Sequence, residues 1–385
     1  AVAGPRVEPV ETWPGLTQMA DLQKRLWAAQ RPVLVLGGGG WNEQACGRVR
    51  RFAERFDLPV ATSFRRAMLF PADHPNYAGE IGLGPNPKLK ARIEASDLVI
   101  LAGGRMAEVP SQGYTLFAIP APRQTLVHVH ADPQELGRVY HPAVGINATP
   151  SGFAAALETV QPPNEIGWRE ATRQAREDYL AWSEQPAQIP GSFQYGEAMA
   201  WLRNRLPDDA IVTNGAGNYA IWVGRFMRFR RFGTQLAPVS GSMGYGLPAA
   251  VGAKRQFPER MVVCFAGDGC FLMHGQEFAT AVQYDLPIVV VVVDNGMYGT
   301  IRMHQEREYP GRVSATRLRN PDFAAYAKAF GGHGERVETT AEFAPAFERA
   351  VASGKPAILH VLIDPEAITP ATTLTRLREA AQAKG

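Results

Sequence analysis

The chain has 385 residues, of which 45% are hydrophobic and 20% charged, and this length favours two domains of ordinary size over a single core. Its 38 Gly and 30 Pro fall short of a low-complexity composition, so global disorder is excluded. Forty basic residues against 37 acidic ones give a net charge of +3, a balance that does not suggest a nucleic-acid-binding protein.

Targeting and membrane signals are missing from the segments that would carry them. The first residues, AVAGPRVEPVETWPG, lack the charged start and apolar centre of a secretion signal. The apolar run Ile288–Val293 spans six residues, far below the roughly 20 that a membrane helix needs. Cys46, Cys264 and Cys270 are too widely spaced for a disulfide framework or a Cys-x-x-Cys knuckle. We therefore expect a cytoplasmic protein without cysteine chemistry.

Short β-rich runs alternate with helical patterns in the first half, as in parallel sheets covered by helices. The spacing predicts a helix over residues 42–56 and strands over residues 32–36, 58–62, 97–103 and 125–131. Residues 37–40 are all glycine, but the Gly-x-Gly-x-x-Gly dinucleotide pattern fails at Asn42, which favours a tight strand-to-helix turn. We predict a doubly wound domain over residues 1–165, including an N-terminal linker.

Two further features, a pair of histidines and an arginine-rich run, are better explained by structural roles than by ligand binding. His128 and His130 alternate along a predicted strand and face the same side, yet the sequence offers no third metal ligand nearby. The run RFMRFRRFG carries Arg225, Arg228, Arg230 and Arg231 between phenylalanines, which favours a solvated helix end with inward-packing aromatics over a phosphate-binding patch.

A polar, proline-flanked segment separates the two halves, and we predict an interdomain linker over residues 166–190. The second half repeats the alternation, which predicts another parallel-sheet domain over residues 191–370 and a tail over residues 371–385. Its predicted strands cover residues 211–214, 234–238, 261–269, 287–295 and 356–364. Its predicted helices cover residues 195–206, 247–257, 275–284, 322–330 and 341–353. The predicted class is therefore α/β, with two doubly wound parallel-sheet domains.

Polar residues end two neighbouring strands of the second domain. Gly267-Asp268-Gly269 closes one apolar strand, and Asp294-Asn295 closes the next, with Asn295 following Asp268 by 27 residues. In a parallel βαβ unit this distance brings both groups to the same sheet edge. A carboxylate, an amide oxygen and a backbone carbonyl beyond Asn295 suit Mg²⁺, which shares its ligands with substrate phosphates. The flanking glycines, with the amides of Gly269 and Cys270, are suited to phosphate.

These motifs resemble those of thiamine diphosphate-dependent enzymes. The stretch AGDGCFLMHGQEFATAVQYDLPIVVVVVDNGMYG resembles the family's GDG-to-Asn motif, and SGSMGYGLPAAVGA at residues 240–253 resembles its upstream partner. Within the family the sequence is similar to the acetolactate synthase group, with benzoylformate decarboxylase and glyoxylate carboligase as more distant relatives. Asp294 departs from the asparagine common at its position, and Cys270 from a small residue such as serine.

The resemblance implies a cofactor site. Asp268 and Asn295 would bind Mg²⁺ through their side chains and Met297 through its carbonyl. Met243 and the Gly241 carbonyl would have catalytic roles: the Met243 side chain would wedge between the cofactor's two rings, and the Gly241 carbonyl would accept the pyrimidine amino group. The resemblance places further cofactor contacts at Gly217, Asn218, Tyr219, Ser242, Gly267, Gly269, Cys270, Tyr298 and Gly299.

The first domain resembles the family's central domain, through residues 101–105 and 128–133. Some relatives hold FAD or ADP there, and Arg105 matches a flavin contact, but the following MAEVPS differs from the flavin-binding pattern, so FAD is not expected. Family members begin with a pyrimidine-binding domain whose glutamate starts catalysis, whereas this chain opens on what looks like the linker after it. We therefore expect the chain to be inactive without such a domain or partner chain.

The leading hypothesis is the central and diphosphate-binding portion of an enzyme that decarboxylates a 2-oxo acid or transfers the resulting unit to a second carbonyl. The resemblance also implies a homo-oligomer, since relatives build the site across a dimer interface. An alternative is a non-catalytic subunit that holds Mg²⁺-diphosphate for assembly or regulation. A nicotinamide oxidoreductase, suggested by the glycine run, is weak because the dinucleotide pattern fails.

Overall fold

The computed structural model describes residue 4, residues 7–8 and residues 10–383. The chain divides between Leu180 and Ala181 into two compact units, unit 1 and unit 2. This division falls inside the segment for which we predicted a linker, and much of that segment is a helix. The predicted tail likewise contains a helix, so neither segment is an irregular connection.

Unit 1 contains the first parallel sheet. Its strands are β1 (Pro32–Leu36), β2 (Val60–Ser63), β3 (Tyr77–Ile81), β4 (Leu98–Ala102), β5 (Thr125–His130) and β6 (Val144–Asn147). Its helices are α1 (Leu16–Ala28), α2 (Glu43–Phe56), α3 (Pro87–Ala95) and α4 (Pro150–Ala156), and α5 (Arg169–Ser183) runs across the division between the units.

The strands of unit 1 pair in the order β3-β2-β1-β4-β5-β6, and every pairing is parallel. The four strands and the helix predicted for this half are confirmed. Strands β3 and β6 were not predicted, because YAGEI and VGIN carry glycine and polar residues that interrupt the apolar pattern. The order reverses direction at β1 and β4, so a crevice lies at their carboxyl ends.

Unit 2 contains the second parallel sheet. Its strands are β7 (Ile211–Asn214), β8 (Gln235–Leu236), β9 (Val262–Gly267), β10 (Val289–Asp294), β11 (His333–Val337) and β12 (Ala357–Leu362). Its helices are α6 (Tyr195–Arg205), α7 (Tyr219–Phe226), α8 (Gly246–Gln256), α9 (Asp268–Phe271), α10 (Glu277–Gln283), α11 (Gly299–Glu308), α12 (Phe323–Ala329), α13 (Thr340–Ala352) and α14 (Leu374–Gln382).

The second sheet has the order β11-β12-β10-β9-β7-β8 and is also parallel throughout. All residues of β9 and β10 are buried, because helices cover both faces of the sheet at its centre. Val293 pairs with Gly267, which puts the carboxyl ends of these two strands side by side. The predicted class, two α/β domains with parallel sheets, is confirmed.

The helices predicted for the second half are confirmed with boundaries within two residues of those observed. Strand β11 was not predicted, because HGERV is polar and lies at the edge of the sheet. Helices α7, α9, α11 and α14 were also not predicted, and α9 begins within the predicted strand 261–269. Among the described residues, no helix combines the length and apolar character that crossing a bilayer requires.

The arginine-rich run is held by local partners. The Arg225 guanidinium lies 3.6 Å from the ring centre of Trp182, and Arg228 and Arg230 pair with Glu184 and Asp208. The phenylalanines at 226 and 229 are buried, as the sequence predicted. These arginines therefore contribute to local packing and ion pairing rather than forming the solvated helix end that we predicted.

Candidate cofactor site

The side chains that end β9 and β10 converge on one backbone group. The Met297 amide lies 3.2 Å from Asp268 Oδ2 and 3.2 Å from Asn295 Oδ1, and it donates to both oxygens. Gly296, with φ of +67°, makes the turn that brings this amide back toward the strand ends. The structure therefore brings together Asp268, Asn295 and Met297, the three residues predicted to bind a metal.

Asp268 is a buried carboxylate with little opposite charge around it. Its Oδ1 accepts a hydrogen bond from the Gly269 amide at 2.8 Å, and its Oδ2 accepts one from Asn320 Nδ2 at 2.8 Å. Burial, reinforced by the nearby Asp294 carboxylate, raises the pKa of Asp268 to about 6 even though these hydrogen bonds oppose the shift. A divalent cation would compensate the charge of this group.

Asp294, the departure from the family pattern, is directed away from the cavity described below. Its Oδ2 accepts from His360 Nε2 at 2.9 Å, and its Oδ1 accepts from the Gly296 amide at 2.8 Å and from Asn320 Nδ2 at 2.7 Å. Burial would raise the pKa of Asp294, but these hydrogen bonds outweigh it and hold the pKa below its usual value. The additional carboxylate is thus satisfied within the fold.

A cavity of about 250 Å³ opens beside Asp268 and Asn295. Of the residues predicted to contact a cofactor, all except Ser242 line it; the Ser242 side chain is exposed and lies outside the lining. The lining residues that were predicted are Gly217, Asn218, Tyr219, Gly241, Met243, Gly267, Asp268, Gly269, Cys270, Asn295, Met297, Tyr298 and Gly299. Their contacts with a cofactor stay predictions, but all of these residues line the same cavity.

Two tyrosine rings lie over the glycines of the GDG motif. A Cβ on Gly267 would come within 2.9 Å of the Tyr219 ring, and a Cβ on Gly269 within 2.6 Å of the Tyr298 ring. The Tyr219 hydroxyl accepts from the Gly215 amide at 3.0 Å and lies 3.3 Å from Cys270 Sγ. Close packing against aromatic rings therefore requires glycine at both positions, a role that sequence analysis did not assign.

The predicted phosphate donors, the amides of Gly269 and Cys270, lie in the short helix α9. The Gly269 amide already donates to Asp268, and α9 contains a single turn, so the dipole of this helix is small. Cys270 is buried, and its Sγ accepts from the Gly244 amide at 3.2 Å. The thiol therefore joins the segment containing Met243 to the end of β9, which is consistent with a packing role.

Several residues of the cavity wall were missed by sequence reasoning. They are Ala216, Trp222, Val293, Thr300, Ile301, Ile363, Ala367 and Ile368. Thr300 Oγ1 donates to Asn218 Oδ1 at 2.8 Å and so ties α11 to the segment before α7. Residues 363–368 follow β12, which ends beside β10, so only the strand order brings them to the cavity.

Unit 1 has a crevice at the carboxyl ends of its strands. A cavity of about 210 Å³ at its carboxyl edge is lined by glycines 38, 39 and 103 together with Arg105 and His130. A Cβ on Gly38 would come within 1.8 Å of the Gly103 carbonyl, so the glycine turn packs directly against the next loop. A flavin or ADP is not part of the function proposed below.

The two strand histidines are fixed by backbone groups. His128 is buried with its Nε2 2.9 Å from the Gly104 carbonyl, and burial lowers its pKa. Asp132 donates its backbone amide to His130 Nδ1 at 3.1 Å. Within the described part of the chain, no group of three or more His, Cys, Asp or Glu side chains is arranged to hold a metal.

We expect Gly267→Ala to lower the free energy of unfolding by about 1–3 kcal/mol, because the added methyl would overlap the Tyr219 ring. The backbone of Gly267 has φ of −72°, which alanine adopts freely, so the effect would be steric. Urea unfolding measures it. Gly252→Ala on α8, where no atom lies within 4 Å of the new Cβ, is the matched control and should be neutral or stabilising. Equal effects of the two substitutions would contradict the steric role.

Unit 2 is a parallel α/β domain in which an acid and an amide meet at adjacent strand ends beside a cavity, and α/β domains commonly bind cofactors in such a crevice. Residues 215–361 match the C-terminal TPP-binding domain of thiamine pyrophosphate enzymes, and residues 19–157 match their central domain. The chain belongs to this thiamine pyrophosphate enzyme family, which confirms the resemblance seen in the sequence.

Curated relatives extend over nearly the whole chain. It is 30% identical over 361 residues to the acetolactate synthase isozyme 2 large subunit of Escherichia coli (strain K12), covering 93% of this chain and 64% of that protein. It is 30% identical over 383 residues to the acetolactate synthase large subunit of Corynebacterium glutamicum, covering 94% and 59%. It is also 30% identical over 373 residues to the sulfoacetaldehyde acetyltransferase of Alcaligenes xylosoxydans xylosoxydans, covering 88% and 61%. The chain thus spans about three fifths of the length of these relatives.

Proposed function

We propose that this chain is the thiamine diphosphate- and Mg²⁺-binding portion of a 2-oxo acid carboligase or decarboxylase of the acetolactate synthase type. The observation that carries the proposal is the Met297 amide shared by Asp268 and Asn295 at the edge of the cavity. Similarity to acetolactate synthase large subunits supports the reaction class.

The chemistry of the donor set fits the cation. The carboxylate of Asp268, the amide oxygen of Asn295 and the carbonyl of Met297 are hard oxygen donors, and Mg²⁺ binds proteins through a few such groups together with phosphate oxygens. Asp268 is buried and lacks a cationic side-chain partner among its hydrogen bonds, so a bound cation would offset the cost of burying its charge. These three residues would hold Mg²⁺ and, through it, the diphosphate.

The rest of the cavity would hold the organic part of the cofactor. Thiamine diphosphate, when bound, supplies the electron sink that stabilises the negative charge left by decarboxylation. Met243 lines the cavity and would set the bend between the cofactor's rings, with the Gly241 carbonyl as an acceptor. The apolar wall formed by Trp222, Ile301 and Ile368 would keep water from the reacting groups.

The proposed site requires a pyrimidine-binding domain, on the same polypeptide or on a partner chain, to supply the glutamate that the resemblance implies. The substrate would be a small 2-oxo acid, and the protein would work in the cytoplasm as a homo-oligomer. These parts of the proposal rest on similarity to the family, whose members the chain matches over two of their domains.

Turnover of pyruvate or glyoxylate tests the proposal. We expect consumption only when Mg²⁺, thiamine diphosphate and a pyrimidine-binding domain are all present. Met243→Ala should leave cofactor affinity within a few fold but lower kcat by roughly 100-fold, because a displaced ring misaligns the reacting atoms. Met243→Leu, which keeps the bulk, should retain most of the activity.

Two other outcomes would favour the non-catalytic alternative or refute both functions. Tight cofactor binding without turnover of any 2-oxo acid, under every pairing, would indicate the non-catalytic subunit instead. A protein that binds no thiamine diphosphate in the presence of Mg²⁺ would refute both.

A further inference from the structure

One side chain outside the cavity wall bridges the two acids at the sheet edge. Asn320 lies in the segment before α12, and its Nδ2 is 2.8 Å from Asp268 Oδ2 and 2.7 Å from Asp294 Oδ1. Each N–H of this amide group therefore donates to a different carboxylate. No sequence motif singled out this residue, and it is not among the cavity-lining residues.

The chemistry of the contacts fixes the orientation of this amide. If the oxygen and nitrogen of Asn320 were exchanged, its oxygen would face two carboxylate oxygens and no donor. In the observed orientation Asn320 Oδ1 is buried without a hydrogen-bond partner. Asn320 thus leaves its buried Oδ1 unpaired while both of its N–H groups donate to carboxylates. We take Asp268 and Asp294 as the groups that this side chain is placed to bind.

The same segment holds Asp294 by a second route. The backbone amide of Phe323 donates to His360 Nδ1 at 3.3 Å, which leaves Nε2 as the donor atom of the ring. Nε2 donates to Asp294 Oδ2 at 2.9 Å. Residues 320–323 therefore restrain Asp294 directly through Asn320 and indirectly through His360.

This arrangement bridges two buried acids that would otherwise repel each other. Asp268 and Asp294 end adjacent strands, and both are less than 10% exposed. Without the Asn320 amide, the Asp268 carboxylate would lose a donor to its Oδ2 and would reorient. That change would disturb the oxygen arrangement that Asp268 forms together with Asn295.

We propose that Asn320 is a positioning residue for the cation site: its carboxamide bridges Asp268 and Asp294 and fixes the Asp268 carboxylate toward a divalent cation. The inference rests on the proposed function, because it assigns the cation to Asp268. It also explains how this chain accommodates an aspartate at position 294, since Asn320 and His360 together satisfy that charge.

A double-mutant cycle in the full protein tests the proposal. The variants are Asn320→Ala, Asp294→Asn and the double substitution, with Asn204→Ala on the exposed face of α6 as the matched control. The first readout is the Kd for Mg²⁺ in the presence of thiamine diphosphate, measured by calorimetry. The second is the Tm of the protein without metal or cofactor, which does not depend on catalysis or on binding.

We expect Asn320→Ala to raise the Kd for Mg²⁺ by about 10- to 100-fold in the Asp294 protein. In the Asp294→Asn background the same change should cost less than about 3-fold, because only one carboxylate remains to be held. The Tm should follow the same pattern, with a larger loss in the Asp294 background. Asn204→Ala should change neither quantity.

Equal losses in both backgrounds, or no loss in either, would overturn the positioning role. If Asn320→Ala prevents folding, restoration of the fold by Asp294→Asn supports the proposal, and a double variant that stays unfolded overturns it. Wild-type protein that binds no Mg²⁺ with thiamine diphosphate would refute the proposed function, while the Tm cycle would still report whether Asn320 couples the two acids.

Discussion

Asp268→Asn is expected to abolish Mg²⁺-dependent binding of thiamine diphosphate, raising its Kd by at least roughly 100-fold. The substitution keeps the shape of the side chain but removes its charge, and a neutral amide is a much weaker ligand for Mg²⁺ than a carboxylate. It also places an NH₂ group opposite a donor that Asp268 now accepts from, such as the Gly269 amide. Calorimetric titration with thiamine diphosphate and Mg²⁺ measures the loss.

In the absence of Mg²⁺ and thiamine diphosphate, Asp268→Asn should have little effect on the stability of the protein. Asp268 and Asp294 are neighbouring buried carboxylates, so neutralising one removes a repulsion that offsets the NH₂–donor contact, and the Tm of the free protein should stay close to the wild-type value. In wild-type protein, Mg²⁺ with thiamine diphosphate should raise the Tm, because ligands that bind only the folded state stabilise it. The variant should lose that increase.

Asp285→Asn is the matched control for Asp268→Asn. Asp285 is exposed in the same unit and has a φ of +49°, a conformation that asparagine tolerates. It should keep wild-type cofactor binding. An Asp268→Asn protein that still binds thiamine diphosphate with wild-type affinity would exclude Asp268 as the metal ligand.

Glu306→Gln is expected to lower the free energy of unfolding at neutral pH by about 3 kcal/mol. Glu306 of α11 is fully buried, and its two oxygens accept from Arg378 of α14 at 2.7 and 2.8 Å. Arg302 also pairs with it, and the Gly311 amide donates to it at 2.9 Å. The glutamine variant would leave two arginines facing a neutral amide, and α14 would lose its anchor on α11.

The pH dependence of this effect follows from the hydrogen bonds that Arg378 donates. They lower the pKa of Glu306 from 4.5 to about 2. Because folding lowers this pKa, the stabilisation is fully present above pH 4.5 and is lost as the pH falls toward 2. Urea unfolding at several pH values should therefore show a stability gap between wild type and Glu306→Gln that narrows below pH 4.5.

Glu308→Gln provides the comparison, because Glu308 carries an exposed ion pair with Arg307 on the same helix. Removing it should change the free energy of unfolding by less than about 1 kcal/mol. A Glu306→Gln protein as stable as wild type would show that the buried pair only offsets its own desolvation. The first residues of α11 line the cavity, so the Glu306 variant should also weaken cofactor binding.

The sequence was most informative where burial and function both restrict the residue type. Strands β9 and β10 are uninterrupted apolar runs because both of their faces are covered, and such runs are recognisable without a structure. Edge strands such as β11 are half-exposed and polar, so nothing in HGERV distinguishes a strand from a loop. The same reason explains why the short strand β6 was missed.

The candidate site likewise contains residues that the sequence indicated and residues that only the tertiary structure places there. The spacing of Asp268 and Asn295 along a βαβ unit indicated that they meet, because two adjacent parallel strands end at one edge. Ile363 and Ile368 reach the cavity only because β12 inserts beside β10, an order that local sequence does not encode. Sequence analysis assigned Gly267 and Gly269 to phosphate approach, which stays a prediction, and the structure adds the tyrosine rings packed against both glycines.

The sequence by itself determined the α/β class, the family and the pair of residues that meet at the sheet edge, since periodicity and motif spacing are local properties of the chain. Only the tertiary structure decided how the charge at Asp294 is satisfied, because Asn320 and His360 come from segments 26 and 66 residues away. Hydrogen bonds between distant segments depend on which strands are neighbours, and strand order is set by the packing of the whole domain rather than by any one motif.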